Sequence, residues 1–354
     1  MMSSLREVFQ VAVAHAARGE LPVWRQFTEM AYLMLCHRLG PGYYMMARFW
    51  RRSVPFSVKR QHWNNKRYLH EVHRINDPHY YKISQNKLVE KSLLATLGIP
   101  TPRALGVFEP AKGQGCDGLP LRTGDDLRRV LSPVVGQRIF FKPVEGHCGR
   151  GVFALDVSAD TSGLQLHRPF SKEPWALDRL ADVLGKHWKG SLIEQGIEQH
   201  PQLAALNPSS VNTLRMWVID DGRDVRVLGA FLRIGRASSE VDNTSQGGMA
   251  CPIDLETGRI REALDLTLFR RAHLTHPDSG ASIPGTRIPH WPACVSLAQD
   301  ALRVLPGARF AGLDIAVTAS GPLVVEYNIE PDQRGAAHLD LPHGSILGRR
   351  VPLS

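Results

Sequence analysis

Apolar residues recur at helical spacing near the start of the chain. Leu5, Val8 and Val11 follow the three- and four-residue steps of an amphipathic helix. Similar patterns continue further on, broken by a Gly-Pro-Gly turn signal. We therefore predict helices over residues 4–80 and take residues 1–82 as an N-terminal helical region.

Short apolar stretches separated by turn residues dominate the rest of the chain. Turn signals such as Asp-Asp-Gly-Arg and Ala-Ser-Gly lie between neighbouring stretches and are typical of hairpins. Helices are predicted over residues 86–97, 174–185 and 293–305. Strands are predicted over residues 104–108, 138–144, 152–157, 191–195, 214–219, 225–234, 249–253, 259–264, 313–318 and 322–327. The pattern predicts an α+β fold.

Composition places the chain among ordinary folded proteins. It has 354 residues, 43% hydrophobic and 22% charged, which excludes a disordered or collagen-like chain and suggests about two folded units. The five cysteines are scattered without a CxxC pair, so neither a zinc site nor a disulfide framework is predicted. The N-terminus lacks the pattern of a secretory signal, and we expect a cytoplasmic protein.

Positive charge is concentrated at the N-terminus. The net charge is +9, and residues 1–80 hold 12 Lys or Arg against 5 Asp or Glu. A nucleic-acid surface, an anionic membrane surface and a solvated helical face are the three interpretations. No nucleic-acid-binding motif is present, so we expect no nucleic-acid partner; peripheral membrane contact remains an alternative to the solvated face.

A lysine followed by a glycine-rich loop is the first candidate for chemistry. Lys142 lies on a predicted strand, and Gly146, Gly149 and Gly151 follow it before the next strand. Glycines allow backbone N–H groups to converge on an anion, and the lysine adds a charge, so the stretch suits phosphate binding. An ordinary glycine-rich hairpin is the alternative.

Three oxygen-bearing side chains near the C-terminus form the second candidate. Glu326 and Asn328 are two residues apart on a strand and therefore share a face, and a short turn brings the strand of Asp314 alongside. Two carboxylates and an amide oxygen suit Mg²⁺, with Mn²⁺ as an alternative. A hydrogen-bonded acidic cluster is the other interpretation.

Two further stretches lie between these candidates. An apolar strand ends in Glu194 and Gln195, a position suited to the edge of an adenine base. Arg215 lies near the start of another strand, where its guanidinium could neutralise phosphate charge. Neither stretch is specific alone.

The order of these features resembles the ATP-grasp superfamily. The order is a helix lysine (Lys87), a strand lysine with a glycine loop, a strand ending in Glu, an arginine strand, and Asp followed by Glu-x-Asn. The stretches His200–Ile219, Val241–Gly258 and His276–Trp291 more narrowly resemble the sugar-transfer-associated ATP-grasp family, which is similar to α-L-glutamate-ligase-type proteins.

This resemblance implies a fold and a set of residue roles. Two α+β lobes would clasp ATP, with residues 83–136 as a preceding α/β segment, 137–195 as the lid subdomain, 196–345 as the C-terminal subdomain and 346–354 as a tail. ATP would be bound by Lys87, Lys142, Gly146, Gly149, Gly151, Glu194, Gln195, Ile197, Glu198 or His200, and Asn243. Arg215, Arg233 and Arg236 would face the transferred phosphate with Lys142, and Asp314, Glu326 and Asn328 would hold one or two Mg²⁺ ions.

The implied activity is an ATP-dependent ligase. A carboxylate would be activated as an acyl phosphate and captured by an amine or thiol, with small-molecule acid and amine substrates, in polysaccharide or natural-product biosynthesis. A phosphotransferase acting on a hydroxyl is the first alternative. A non-catalytic basic binding protein is the second.

Overall fold

A computed structural model of the chain describes residues 4–146, 149–161, 163–169, 171, 173–187, 189–237, 247–305 and 307–348. Helices and antiparallel strands alternate along it. The helices are α1 Leu5–Ala17, α2 Val23–His37, α3 Pro41–Met46, α4 Phe56–Lys59, α5 Asn65–Ile75, α6 Tyr81–Gln85, α7 Lys87–Thr96, α8 Gly124–Leu131, α9 Leu177–Gly185, α10 Pro201–Ala204, α11 Trp291–Arg303, α12 Gly335–Leu339 and α13 His343–Ile346.

The strands form two sheets. They are β1 Ala104–Phe108, β2 Gln114–Gly115, β3 Arg138–Pro143, β4 Phe153–Asp160, β5 Gly163–His167, β6 Ser191–Gln195, β7 Thr213–Asp220, β8 Val225–Ile234, β9 Met249–Pro252, β10 Ala263–Asp265, β11 Ala272–His273, β12 Phe310–Thr318 and β13 Gly321–Asn328. The α+β class predicted from the sequence is confirmed.

The first sheet has six strands in the order β2-β1-β6-β3-β4-β5. Alternate residues point to opposite faces of a strand, so Ile139 and Phe141 face one side while Phe140 and Lys142 face the other. The first side is apolar and packs against α8 and α9 through Leu127, Leu131 and other leucines. The second side carries the charged residues Lys142 and Glu194 beside the apolar residues Phe140 and Leu192.

The second sheet has seven strands in the order β11-β10-β9-β8-β7-β12-β13. One face, with Leu313 on β12, packs against α11 and the end of α7. The other face carries Trp217 and Phe310, which pack against Tyr68 of α5 and the short helix α12. Both faces are therefore covered over much of the sheet, and the N-terminal helical region supplies part of the second cover.

The helices α1 to α4 form a small cluster of their own. Ser4 caps α1 in a reciprocal pair with Glu7, and Glu29 is buried within the cluster, where it accepts from Lys59 Nζ at 2.6 Å and from the Tyr44 hydroxyl at 3.0 Å. Ala337 of α12 belongs to the same apolar cluster. The N-terminal helices are thus attached to the C-terminal part of the chain by a buried contact.

Several element predictions need correction. No helix was predicted between residues 108 and 138, but residues Gly124–Leu131 form α8, whose start is capped by Thr123 in a reciprocal pair with Asp126. The strand expected from residue 259 begins only at Ala263, because residues before it form an isolated bridge at Ile260. Strand β5 was not expected at all.

The predicted subdomain boundaries remain predictions. Helix α6 crosses the boundary expected at residue 82, and α13 crosses the one expected at residue 345. Among the residues described, no helix combines the length and the apolar character needed to cross a lipid bilayer.

Candidate active site

A buried ion pair lies on the polar side of the six-stranded sheet. Lys142 Nζ donates to Glu194 Oε1, and the two side chains are 13% and 2% exposed. Burial alone would raise the pKa of the Glu194 carboxyl, but the charges of Lys142 and Lys91 outweigh it and hold that pKa below its ordinary value. Glu194 Oε2 is buried and has no hydrogen-bond partner among the described residues. The Glu194 carboxylate therefore has one buried oxygen, Oε2, that is available to accept a hydrogen bond.

The glycine-rich loop follows Lys142 directly. Gly149 and Gly151 have φ angles of +68° and +75°, which favour glycine, and a Cβ on Gly151 would come within 3.0 Å of Pro143 Cγ. The Gly146 carbonyl accepts from Lys87 Nζ at 3.4 Å. Residues 147–148 lie outside the described part, so the predicted anion cradle stays a prediction.

Helix α7 joins the two sheets. Lys87 begins it, and its backbone N–H donates to the carbonyl of Val144 beyond β3 at 2.9 Å. One turn later Lys91 Nζ donates to the Val325 carbonyl at 2.7 Å and to the Thr101 hydroxyl at 2.8 Å. Burial lowers the pKa of Lys91, and the charges of Glu194 and of its neighbour Glu90 oppose that shift. Lys91 therefore interacts with both the six-stranded and the seven-stranded sheet.

Asp314 is held between two arginines on the seven-stranded sheet. Arg215, its cross-strand neighbour on β7, donates to both carboxylate oxygens, the second contact being 3.0 Å, and Arg233 Nη2 donates to Oδ2 at 2.8 Å. Thr213 Oγ1 accepts from the Arg233 guanidinium and fixes it. Burial opposes ionisation, but the two guanidinium groups outweigh it and lower the pKa of Asp314.

The predicted metal ligands share one face. Asp314 and Glu326 are directly opposite each other across β12 and β13, and Asn328 follows two residues later. Glu326 forms no hydrogen bond or ion pair with any residue that the structure describes, whereas both Asp314 oxygens accept from arginines. The Asn328 amide nitrogen is buried without a partner among the same residues. The donor types fit Mg²⁺, with Glu326 and Asn328 as the more open members.

The other predicted residues lie at several places. Arg236 is bound bidentately by Asp278, with both distances 2.7 Å, so the structure does not bring it to Asp314. His200 Nδ1 accepts from the N–H of Gln202 and caps α10. The Gln195 amide donates to Gln137.

Three predicted residues remain. Ile197 is half-buried beyond the end of β6, and Glu198 is exposed. Asn243 lies outside the described residues.

Sequence reasoning missed a group of cations beside Arg215. His338 of α12 accepts from Arg270 Nη2 at 3.0 Å, and its ring lies 5.3 Å from that of Phe231 on β8. Burial and then the charges of Arg270, Arg215, Arg334 and Arg48 lower the pKa of His338 well below its ordinary value. The group could not be found from spacing, because its members come from four distant stretches of chain.

A cavity of about 860 Å³ lies next to the six-stranded sheet. It lies between α7 and the strands β1 and β2, and its lining includes Lys91, Leu192 and Thr101. Leu192 and Glu194 are two residues apart on β6 and share a sheet face. Leu192 thus lines the cavity from the sheet face that carries Lys142 and Glu194, and no sequence pattern indicated this cavity.

Two lobes, one with buried lysines and a glycine loop and one with an Asp and Glu-x-Asn face, are the arrangement typical of an ATP-grasp protein. The sequence model of the sugar-transfer associated ATP-grasp family matches residues 65–351. The chain belongs to this family. A search of the curated proteins finds no match.

The solved structures to which the chain is similar include two synthetases and a ligase. They are the ADP complex of N5-carboxyaminoimidazole ribonucleotide synthetase (11% identity, 72% of this chain and 47% of that chain, TM-score 0.42), an L-amino acid ligase from Bacillus licheniformis (14%, 73% and 43%, 0.40) and D-cycloserine synthetase DcsG (12%, 88% and 94%, 0.44). The chain spans less than half the length of the first two. At such low identities and TM-scores these structures do not indicate a substrate for this chain. Its assignment to the family depends on the sequence model that matches residues 65–351.

Proposed function

We propose that the protein is an ATP-dependent ligase that activates a carboxylate as an acyl phosphate and joins it to an amine, with a thiol as the alternative nucleophile. One observation carries the proposal. Lys91 bonds to the backbone of β13 and acts electrostatically on both Glu194 and Glu326, so the charged groups of the two lobes belong to one neighbourhood. Formation of an acyl phosphate needs neutralisation of the phosphate charge and exclusion of water from the intermediate.

In this proposal the lid lobe binds the nucleotide. Lys87 and Lys142 would contact the phosphates, and the loop containing Gly149 and Gly151 would close over them. The open Glu194 Oε2 atom is a buried acceptor, and the amino group of adenine is a donor of matching character. Gln195 and Ile197 would line the base, and Glu198 or His200 would serve the ribose.

The C-terminal lobe would hold the metal and the reacting groups. Glu326 and Asn328, with Asp314, would bind Mg²⁺, which supplies charge neutralisation at the phosphate oxygens. Arg215 and Arg233 would stabilise the negative charge of the acyl phosphate, because bidentate guanidinium groups match phosphate geometry. Both arginines are already oriented by Asp314 and Thr213.

The carboxylate substrate would bind next to Arg215. Arg270 and Arg334 act on His338 at this place, and Arg334 is exposed without an ion pair within the described part of the chain. An anionic group suits such a surplus of positive charge. Because the family is associated with sugar transfer, we propose acids and amines from polysaccharide or natural-product biosynthesis, acting in the cytoplasm where ATP is available.

An isotope experiment that follows the carboxylate oxygens of the acid substrate tests this proposal. The full-length protein is incubated with ATP, Mg²⁺ and pools of carboxylic acids labelled with oxygen-18 in the carboxylate, together with pools of amines. An acyl-phosphate ligase transfers one labelled oxygen to the released phosphate, and mass spectrometry detects both the labelled phosphate and the condensed product. Omission of the amine pool should lower phosphate release.

Two outcomes would contradict the proposal. Transfer of phosphorus-32 from ATP to a stable product, with no label in free phosphate, would indicate a phosphotransferase acting on a hydroxyl. ATP turnover that needs neither acid nor amine would also count against a ligase. A Glu326→Gln variant serves as the control in each arm, because it should lose every ATP-dependent product.

A further inference from the structure

The hairpin of α1 and α2 exposes apolar side chains beside its packed face on α1 and opposite its packed face on α2. Its buried side carries residues such as Val8 and Leu33. Of the fourteen large apolar side chains that are clearly exposed in the described residues, half lie in this hairpin. They are Leu5 (75% exposed), Phe9 (52%), Val13 (42%), Trp24 (69%), Tyr32 (40%), Met34 (49%) and Leu35 (78%), which we call the hairpin surface.

Five of these side chains form two rows, one on each helix, while the Tyr32 ring lies 5.3 Å from that of Phe56 on α4. Leu5, Phe9 and Val13 are four residues apart and lie in a row along α1. Trp24 and Leu35 are eleven residues apart, about three helical turns, and lie in a row along α2. Phe9 reaches α2, because its ring centroid lies 6.0 Å from that of the partly buried Phe27. A soluble helix pair normally presents polar side chains on this side, so the surface indicates a partner.

The charges around the hairpin surface are positive. Arg6, Arg18, Arg25 and Arg38 are exposed on the same two helices or directly after them, and of these Arg25 forms an ion pair with Glu29 at 3.3 Å. The acids of this segment have internal partners. Glu7 accepts from the Ser4 N–H in the helix cap, Glu20 accepts from the Arg52 N–H, and Glu29 is buried against Lys59. An anionic surface is complementary to this arrangement.

We propose that the hairpin surface docks onto an anionic lipid bilayer. Apolar side chains would enter the headgroup and acyl boundary, with Trp24 and Tyr32 at the interface and the arginines contacting lipid phosphates. A second copy of the chain fits less well, because a symmetric contact would bring the arginines of both copies together without acids to match them. The hairpin is attached to α12 through Ala337, so docking would hold the candidate active site near the membrane.

Vesicle sedimentation with the full-length protein tests this proposal. We expect it to bind vesicles of phosphatidylcholine and phosphatidylglycerol in equal parts, to bind pure phosphatidylcholine much less, and to lose affinity as salt rises. A Trp24→Gln/Leu35→Gln variant should bind the mixed vesicles about tenfold more weakly or worse. Leu274→Gln is the matched control, because Leu274 is 79% exposed on another part of the chain.

Each contrary outcome overturns the proposal. The hairpin surface does not bind lipid if the protein fails to bind the mixed vesicles. The same conclusion follows if the double variant and the Leu274→Gln control lose vesicle affinity equally. If light scattering without lipid gives twice the chain mass, and Leu35→Gln restores the mass of one chain, a second copy covers the surface instead. Circular dichroism confirms that each variant is folded, and unchanged ATP turnover in the absence of lipid distinguishes this surface from the active site.

Discussion

The side-chain amide of Asn76 pairs with the main chain of Phe310 as a neighbouring strand would. Its nitrogen donates to the Phe310 carbonyl at 2.8 Å, and its oxygen accepts from the Phe310 N–H at 2.9 Å. The same amide also donates to the Ile329 carbonyl and accepts from the Arg309 N–H, each at 2.8 Å. Asn76 follows α5, so one buried side chain connects the N-terminal helical region to strand β12.

Replacing Asn76 by alanine should weaken the whole fold. The change removes four hydrogen bonds and leaves buried backbone groups without partners, so we expect the free energy of unfolding to fall by about 3–5 kcal/mol. Urea denaturation followed by circular dichroism measures this. Asn65→Ala, at an exposed position of the same helix, should change little; an equal effect of both variants would contradict the structural role of Asn76.

Asp314→Asn should lower stability in a pH-dependent way. The change leaves Arg215 and Arg233 partly buried without their carboxylate, which we expect to cost about 3 kcal/mol near neutral pH. Because the pKa of Asp314 is lowered in the folded protein, its contribution is present above the unfolded value of about 4 and is lost as pH falls below it.

Denaturation of wild type and variant across acidic pH checks this difference. The gap between them should be full near neutral pH and should shrink as pH falls below about 4. Asp182→Asn, an exposed position on α9, controls for loss of a carboxylate in general. A gap that stays constant with pH would contradict the ion pairs of Asp314.

Lys142→Met should abolish ATP turnover while the fold is retained. The substitution keeps most of the apolar stem and removes the charge next to the proposed phosphates, so we expect a loss of about a hundredfold or more. Helical circular dichroism should be preserved, because Lys91 still acts on Glu194. Lys66→Met, an exposed lysine of α5, is the matched control. Wild-type turnover in the Lys142→Met variant would count against the proposed site.

Glu326→Gln should change the response to magnesium. The amide keeps the size of the side chain and removes the charge that would attract the ion, so turnover should need much more Mg²⁺ or disappear. Turnover against Mg²⁺ concentration and calorimetric binding of ATP with and without Mg²⁺ measure this. ATP binding without the metal should be nearly unchanged. Glu256→Gln, an exposed acid in a turn, should behave as wild type.

Local sequence patterns predicted the framework well and the contacts less well. Strand β6 was predicted with its observed bounds, because its apolar run is bounded by turn residues. Helix α8 was missed although its sequence carries two helix signals, the apolar step of Leu127, Val130 and Leu131 and the capping pair at its start. Only Asp125 and Arg128 of its eight residues are exposed, so the apolar step along the helix was the signal that could have found it.

The candidate site was also predicted only in part, because some of its contacts follow from local sequence and others depend on strand order. That Asp314, Glu326 and Asn328 share a face followed from the two-residue repeat of strands, and the register supports it. The arginines bound to Asp314 depend on which strand lies beside β12, and the pairing of Lys142 with Glu194 depends on the order β6-β3. Strand order is set by long-range packing, so it was not predictable from neighbouring residues.

The spacing of Lys87 and Lys91 on α7 restricts where residues can be inserted into the chain. Four residues separate a lysine that reaches the glycine loop from one that bonds to the backbone of β13. Each added residue turns a helix by about 100°, so a single insertion between them would leave only one of the two lysines in its present place. Homologous sequences that keep both contacts should tolerate length changes after this helix, in the β1–β2 hairpin, and not within it.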